Sequence, residues 1–282
     1  MSALQFGIST HLYHDAPLGR DHLVEIAAHG FEAVEIFANR PHLVLDDDHS
    51  TAELAEALRD TGLHASSVHA PIADSLHGGV WGTPFSIATG DERAREQAIE
   101  EVTRAIRLAS HLQARFVVVH LGVPESQQRS PAENRPDAAR RSIERLAATA
   151  VPLGVRLALE VIPNQIADAA DLVGLLEDRL DLSGLGICLD TGHALLLGDV
   201  TDAVETVSGH LVTTHLHDNH GTTDDHLLPF DGAIDWPAVL MSFQKVGYDG
   251  VWMFELAALD EPRRVLERAR QARTKMEELL SP

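Results

Sequence analysis

Eight short runs rich in Val, Ile, Leu, Ala and Phe recur along the chain, and a longer stretch of helical periodicity fills nearly every gap between them. The runs are Phe6–Thr10, Ala33–Phe37, Ala65–His69, Phe116–His120, Val155–Glu160, Gly186–Asp190, Val212–His217 and Gly250–Glu255. Short, nearly continuous apolar runs are what strands look like when both faces of a parallel sheet are covered by helices. Eight is also the number at which such a sheet closes on itself. The expectation is a single (β/α)8 TIM barrel occupying residues 1–282, with no linker that would divide it. A doubly wound open sheet would carry a glycine-rich phosphate turn after its first strand, and Gly7-Ile8-Ser9-Thr10 is not one.

The intervening segments carry helix signals. Arg20–His29 stops at Gly30, and Ser50 with Glu53 reads as a capping box that opens the second helix. Asp91–Leu112 repeats Ala94, Ala98, Val102, Ala105 and Ala109 at helical spacing. Pro136 marks a first turn, and Gly154 follows that helix. Ala167–Leu180, a short segment near Asp202–Ser208, a helix opened by Asp235 and Pro237, and Glu261–Leu280 complete the set. Two long loops, Pro71–Gly90 with Trp81 and Phe85, and Gly122–Asn134, follow strands and so belong on the barrel's functional face.

Polar residues sit where a barrel concentrates chemistry. Six of the eight strands end in a side chain able to bind a metal: His69, His120, Glu160, Asp190, His215 or His217, and Glu255. The ends of parallel barrel strands share one mouth. A carboxylate behind an apolar run such as Leu157-Ala158-Leu159 or Val251-Trp252-Met253-Phe254 is costly unless it is paired or ligates a cation. Glu35 and His11 are expected to hydrogen-bond around this mouth.

Ile187-Cys188-Leu189-Asp190-Thr191-Gly192-His193, His215-Leu216-His217-Asp218-Asn219 and Gly232-Ala233-Ile234-Asp235-Trp236 together resemble the xylose isomerase-like TIM-barrel superfamily. That group holds sugar (phosphate) isomerases and epimerases and, as a relative, the endonuclease IV family. The resemblance implies a core metal site of Glu160, Asp190, His215 and Glu255. It implies a second site of His69 and His120 sharing Glu160, and a third of His193, Asp224 and His226. One to three divalent ions (Mn, Zn, Co or Mg) would suit these ligands.

The activity implied is isomerisation or epimerisation of a sugar or polyol, phosphorylated or not, by proton transfer through a metal-bound enediolate. Glu160 and Glu255 would be the catalytic pair, with His193, His217 and Asn164 binding substrate. Two alternatives stay open: an endonuclease IV-like zinc phosphodiesterase, and a dehydratase or lyase on the same scaffold. The chain departs from the pattern at Phe230-Asp231-Gly232, where the family has Gly-x-Gly. It departs again at His220 and Gly221, where ketohexose epimerases have an arginine. The strand-five motif Glu160-Val161-Ile162-Pro163-Asn164 and His120-Leu121-Gly122 differ from their endonuclease counterparts.

Composition narrows the partners. Lys and Arg total 22 against 43 Asp and Glu, a net charge of −21, which repels phosphate backbones and anionic lipid. Nucleic acid and membranes are therefore not expected as partners; a small-molecule sugar or polyol is, and a homo-oligomer suits the fold. The N-terminus lacks a basic and apolar leader, so a cytoplasmic protein is expected. The one cysteine, Cys188, reads as a core residue. Lys245 and Lys275 are the only lysines, both in outer helical patterns, which excludes Schiff-base chemistry inside the barrel.

Overall fold

The computed structural model describes residues 4–45, 48–77, 80–178 and 184–281. The strands are β1 (Phe6–Ser9), β2 (Ala33–Phe37), β3 (His64–His69), β4 (Phe116–His120), β5 (Arg156–Glu160), β6 (Leu185–Asp190), β7 (Leu211–His215) and β8 (Trp252–Phe254). All pair in parallel, β1 to β7 in sequence order, and β8 with β1. An isolated parallel bridge between Leu216 and Phe254 completes the ring between β7 and β8. Eight parallel strands wrapped by helices make the expected (β/α)8 barrel.

The helices are α1 (Arg20–Ala28), α2 (Asp48–Thr61), α3 (Glu92–Leu112), α4 (Pro136–Ala150), α5 (Ala169–Glu177), α6 (Thr191–Leu197), α7 (Val200–Val207), α8 (Trp236–Val246) and α9 (Pro262–Leu280). Aspartates cap several of them: Asp91, Asp168, Asp199 and Asp235 each accept a first-turn backbone N–H. None of the helices, among the described residues, is long and apolar enough to cross a membrane.

Boundaries differ from the sequence expectation for local reasons. The helix expected to open at Ser50 already runs from Asp48, so the Ser50–Glu53 pair does not form its N-terminus. Strand β1 stops at Ser9 because the next four residues, Thr10–Tyr13, form a 3-10 turn whose His11 N–H donates to Ser9 Oγ at 3.3 Å. The expected helix Ala167–Leu180 begins at Ala169 behind the Asp168 cap, and its last two positions lie outside the described residues. Helix α6 was not expected, and Asp190 explains it. The residue ends β6, and its Oδ1 accepts from His193 N at 2.7 Å, so one side chain stops the strand and caps the helix.

Two cores result. The larger lies between strands and helices and contains Phe6, Trp236, Phe243, Trp252 and Phe254. The smaller fills the barrel axis with Phe116, Val118, Ala158 and Cys188, so the lone cysteine is buried packing. Gly186 keeps this axis open to Val212, whose Cγ1 would lie 2.5 Å from an added Cβ. Inward residues alternate along each strand, so Arg156, Ala158 and Glu160 of β5 share the axial face. Phe254, fully buried at the seam, stacks obliquely on Phe6 at 5.9 Å and edge-on to Phe31 at 6.1 Å. Phe254→Ala is expected to cost about 3–5 kcal/mol of unfolding free energy by urea titration, the range for a buried aromatic that leaves a cavity.

Candidate metal centre at the open end of the barrel

Four strands deliver four ligand groups to one point. Glu160 ends β5, Asp190 ends β6, His215 ends β7 and Glu255 follows β8. All four are buried, and each offers one ligand atom such that the set lies within 4.8 Å of one another. His215 Nδ1 is the hub, at 3.1 Å from Glu160 Oε1, 3.2 Å from Glu255 Oε2 and 3.8 Å from Asp190 Oδ2. Burial disfavours a charge on this imidazole, but the carboxylates around it hold it well above the ordinary histidine range. Burial would likewise push Glu160 and Glu255 up, and the imidazoles at His120, His215 and His226 reverse this, holding both well below the usual carboxylate range. Three buried carboxylates thus need positive charge among them, and either protonated imidazoles or a divalent cation can supply it. The donor set of three carboxylates and one imidazole suits such a cation.

Glu35 fixes the hub from below. It is fully buried on β2, and its Oε2 lies 3.1 Å from His215 Nε2. Ser9 and Ser67 hydroxyls donate to its two oxygens at 3.1 and 2.8 Å. With Nε2–H directed at Glu35, Nδ1 is the nitrogen turned to the carboxylate cluster.

The remaining histidines extend the cluster. His69 Nε2 and His120 Nε2 both reach Glu160 Oε2, at 3.1 and 3.0 Å, and His69 Nδ1–H donates to Ala70 O at 2.8 Å. Burial lowers His69, but Glu160 beside it outweighs this and pushes it up to about 9. His193 and His226 place Nε2 at 3.1 and 3.3 Å from Asp224 Oδ2. Burial again opposes charge on His226, and Asp224 reverses it, to about 10. These are the residues expected for the second and third sites, and the fold brings each set together.

Two residues expected to bind substrate, His217 and Asn164, do not line the cavity over Glu160 and Glu255. His217 is fully buried, with Nε2 at 2.9 Å from Asp190 Oδ1, and its ring stacks on His226 at 4.1 Å. It forms ligand-sized groups with Asp190 and His193 and with Asp224 and His226. Gly192 is required beside it, because a Cβ there would collide with the His217 ring. Asn164 is spent on the backbone: its amide donates to Leu121 O and Val123 O at 2.8 and 3.1 Å and accepts from Ile166 N at 2.9 Å. Its role here is to tie two loops together.

A cavity of about 270 Å³ opens over Glu160, Glu255 and His193. Phe37, Trp81 and Phe85 form apolar walls, and His11 and His14 face in beside them. His14, which carries no motif, stacks on His11 at 4.6 Å and on Trp81 at 5.8 Å. Its place just past β1 was the available signal. Asp218, noted only as part of a motif, organises the loop after β7 by accepting from Asn219 N, Phe230 N, Ile234 N and Trp236 Nε1.

A profile of the family described as Xylose isomerase-like TIM barrel matches residues 23–279. The chain belongs to that family. It is 31% identical over 212 residues to the uncharacterized protein y4fM of Sinorhizobium fredii, covering 70% of this chain and 67% of the relative. It is 25% identical over 267 residues to fructoselysine 3-epimerase of Shigella flexneri, with 89% of each chain covered. A solved D-tagatose 3-epimerase-like protein superposes with a TM-score of 0.80 and 26% identity over 98% of both chains. Within this family's barrel, the Glu35–His215 contact gives a direct test. Glu35→Gln removes the acceptor charge behind His215, and Mn²⁺ affinity, measured by chelator competition, is expected to fall about 10–100-fold.

Proposed function

We propose that this xylose isomerase-like barrel is a divalent-metal-dependent epimerase or isomerase acting on a sugar or polyol. The observation that carries the reading is Glu160 and Glu255, from different strands, meeting one imidazole nitrogen at 3.1 and 3.2 Å beneath a cavity of about 270 Å³. A cavity of that size is at the small end of ligand pockets and suits a monosaccharide-sized molecule. Its Phe37, Trp81 and Phe85 walls would cover the apolar face of a sugar ring, while its histidines meet the hydroxyls. Likeness to two 3-epimerases points the same way.

Glu160, Asp190, His215 and Glu255 would hold the ion. Bound there, a divalent cation supplies Lewis-acid polarisation of a carbonyl and its neighbouring hydroxyl. The chain's own residues do the proton work. Glu160 and Glu255 are kept ionised by the imidazoles around them, so each is in the unprotonated form a base requires at neutral pH. A substrate carbon seated between them loses its proton to one carboxylate and regains one from the other, inverting the centre or moving the carbonyl. His193 is held by Val161 O at 3.0 Å and Asp224 at 3.1 Å, beside the cavity, where it can orient a substrate oxygen. The aromatic walls exclude water from the carbanionic stage.

The phosphodiesterase reading is weaker on the same observations. The mouth is enclosed by aromatic side chains and the chain carries a net charge of −21, so a nucleic-acid backbone finds neither a groove nor a basic track.

Metal-stripped protein is expected to lose activity on a ketose and inosose panel and to recover it with Mn²⁺ or Co²⁺. Glu255→Gln should lower kcat by about 10²–10⁴-fold even with Mn²⁺ added in excess, and abolish solvent deuterium uptake into substrate. Nicking of abasic DNA with no sugar turnover would reject the proposal.

A further inference from the structure

At the opposite end of the barrel, where the strands begin, lies a second and larger cavity of about 650 Å³. Three arginines line it: Arg59 of α2, Arg115 just before β4, and Arg156 at the start of β5. None of the three makes an ion pair among the described residues. Elsewhere Arg20, Arg140, Arg145, Arg268 and Arg273 each pair with a carboxylate. In a chain with 43 acidic and 22 basic residues, a cavity lined by three arginines is locally basic. Asp249 is the one carboxylate in the lining, against those three guanidiniums.

Arg115 and Arg156 each set a guanidinium carbon near the same Phe116 ring of the cavity wall, 5.3 and 5.9 Å from its centre. Arg156 Nη2 donates to Leu185 O at 2.7 Å, but its Nε is buried without a partner. Thr213, 1% exposed and lining the same cavity, also has a buried hydroxyl without a partner. Buried donors left unsatisfied are costly, and two of them lie in the wall of a cavity whose three guanidiniums outnumber its one carboxylate, a lining suited to an acceptor-rich anion. Burial and the nearby charge of Arg115 both pull the Arg156 guanidinium down from its usual range, the direction an anion would reverse.

We propose that this cavity is an anion-binding site for a small phosphate ester, separate from the metal centre, with the phosphate seated between Arg115 and Arg156. Three guanidiniums against one carboxylate match a dianion better than a single carboxylate. Their planar forks match phosphate oxygens. Phe116 and Tyr248 give an apolar wall for the organic part, and Tyr248 is fixed by donating to Val251 O at 2.7 Å. The site stands at the other end of β5 from Glu160, so its occupant does not compete for the metal centre.

The test uses chelator-treated full-length protein at constant ionic strength, titrated calorimetrically with inorganic phosphate, glucose 6-phosphate and glucose. Inorganic phosphate and the ester are expected to saturate one site, the ester more tightly, and glucose to give no heat. Arg156→Gln and Arg115→Gln should each weaken both ligands at least 10-fold, while Arg268→Gln, which removes a paired surface arginine, leaves them unchanged. Arg115 is exposed, so its substitution tests the site even where Arg156→Gln fails to fold. Absence of saturable binding by both phosphate probes, or equal affinity in the Arg115 and Arg156 variants, would overturn the proposal.

Discussion

Mutual repulsion among Glu160, Asp190 and Glu255, three buried carboxylates brought to one point by different strands, is the constraint around which the upper half of the barrel is arranged. In a low-dielectric interior such a cluster persists only if positive charge sits inside it. His215 occupies that position, with His69, His120, His193 and His226 around it. The same demand makes the cluster a strong ligand set for a divalent ion, since replacing imidazole protons with a cation keeps the charge balanced.

Support for the cluster comes from side chains that do two jobs. Asp190 stops β6, caps α6 and holds His217, so the helix begins at the carboxylate–imidazole cluster and not beyond it. Glu35 sits one strand-layer lower with Ser9 and Ser67, a buried polar trio inside the barrel that orients His215. Asp218 ties the loop after β7 into place through four donors, which carries Asp224 and His226 back over the mouth. The departure at Phe230-Asp231-Gly232 falls in this loop. Gly232 is needed there because a Cβ would meet Asp218 and the Asn219 carbonyl. The two ends of the barrel therefore differ in charge logic: acidic groups compensated by histidine above, three arginines against one carboxylate below.

Much of the fold was legible because each strand is a short apolar run bounded by turn residues, and strand ends were located to within two residues or so. The missed helix α6 had a readable cap in Asp190, but its seven residues carry too little periodicity to stand apart from the strand before them. The Ser50–Glu53 pair misled because a capping box in sequence does not show whether the turn before it is already helical. That Glu160, Asp190, His215 and Glu255 meet was legible from their places at strand ends. The placements of His217 and Asn164 were not, since a side chain two residues along a strand, or at the start of a loop, reveals no partner until the neighbouring loop is in place.

By itself the sequence determined the barrel, through eight apolar runs that cannot be satisfied except by covering both faces. It also determined which carboxylates and imidazoles stand at strand ends. Only the tertiary structure decided which nitrogen of His215 faces the cluster, that Glu35 lies beneath it, that His14 and Trp81 wall the cavity, and that three arginines from distant segments surround one hollow. The reason is physical. Strand identity follows from local periodicity, whereas each of these relations depends on closure of the ring, which sets residues as far apart as Glu35 and His215 within hydrogen-bonding distance.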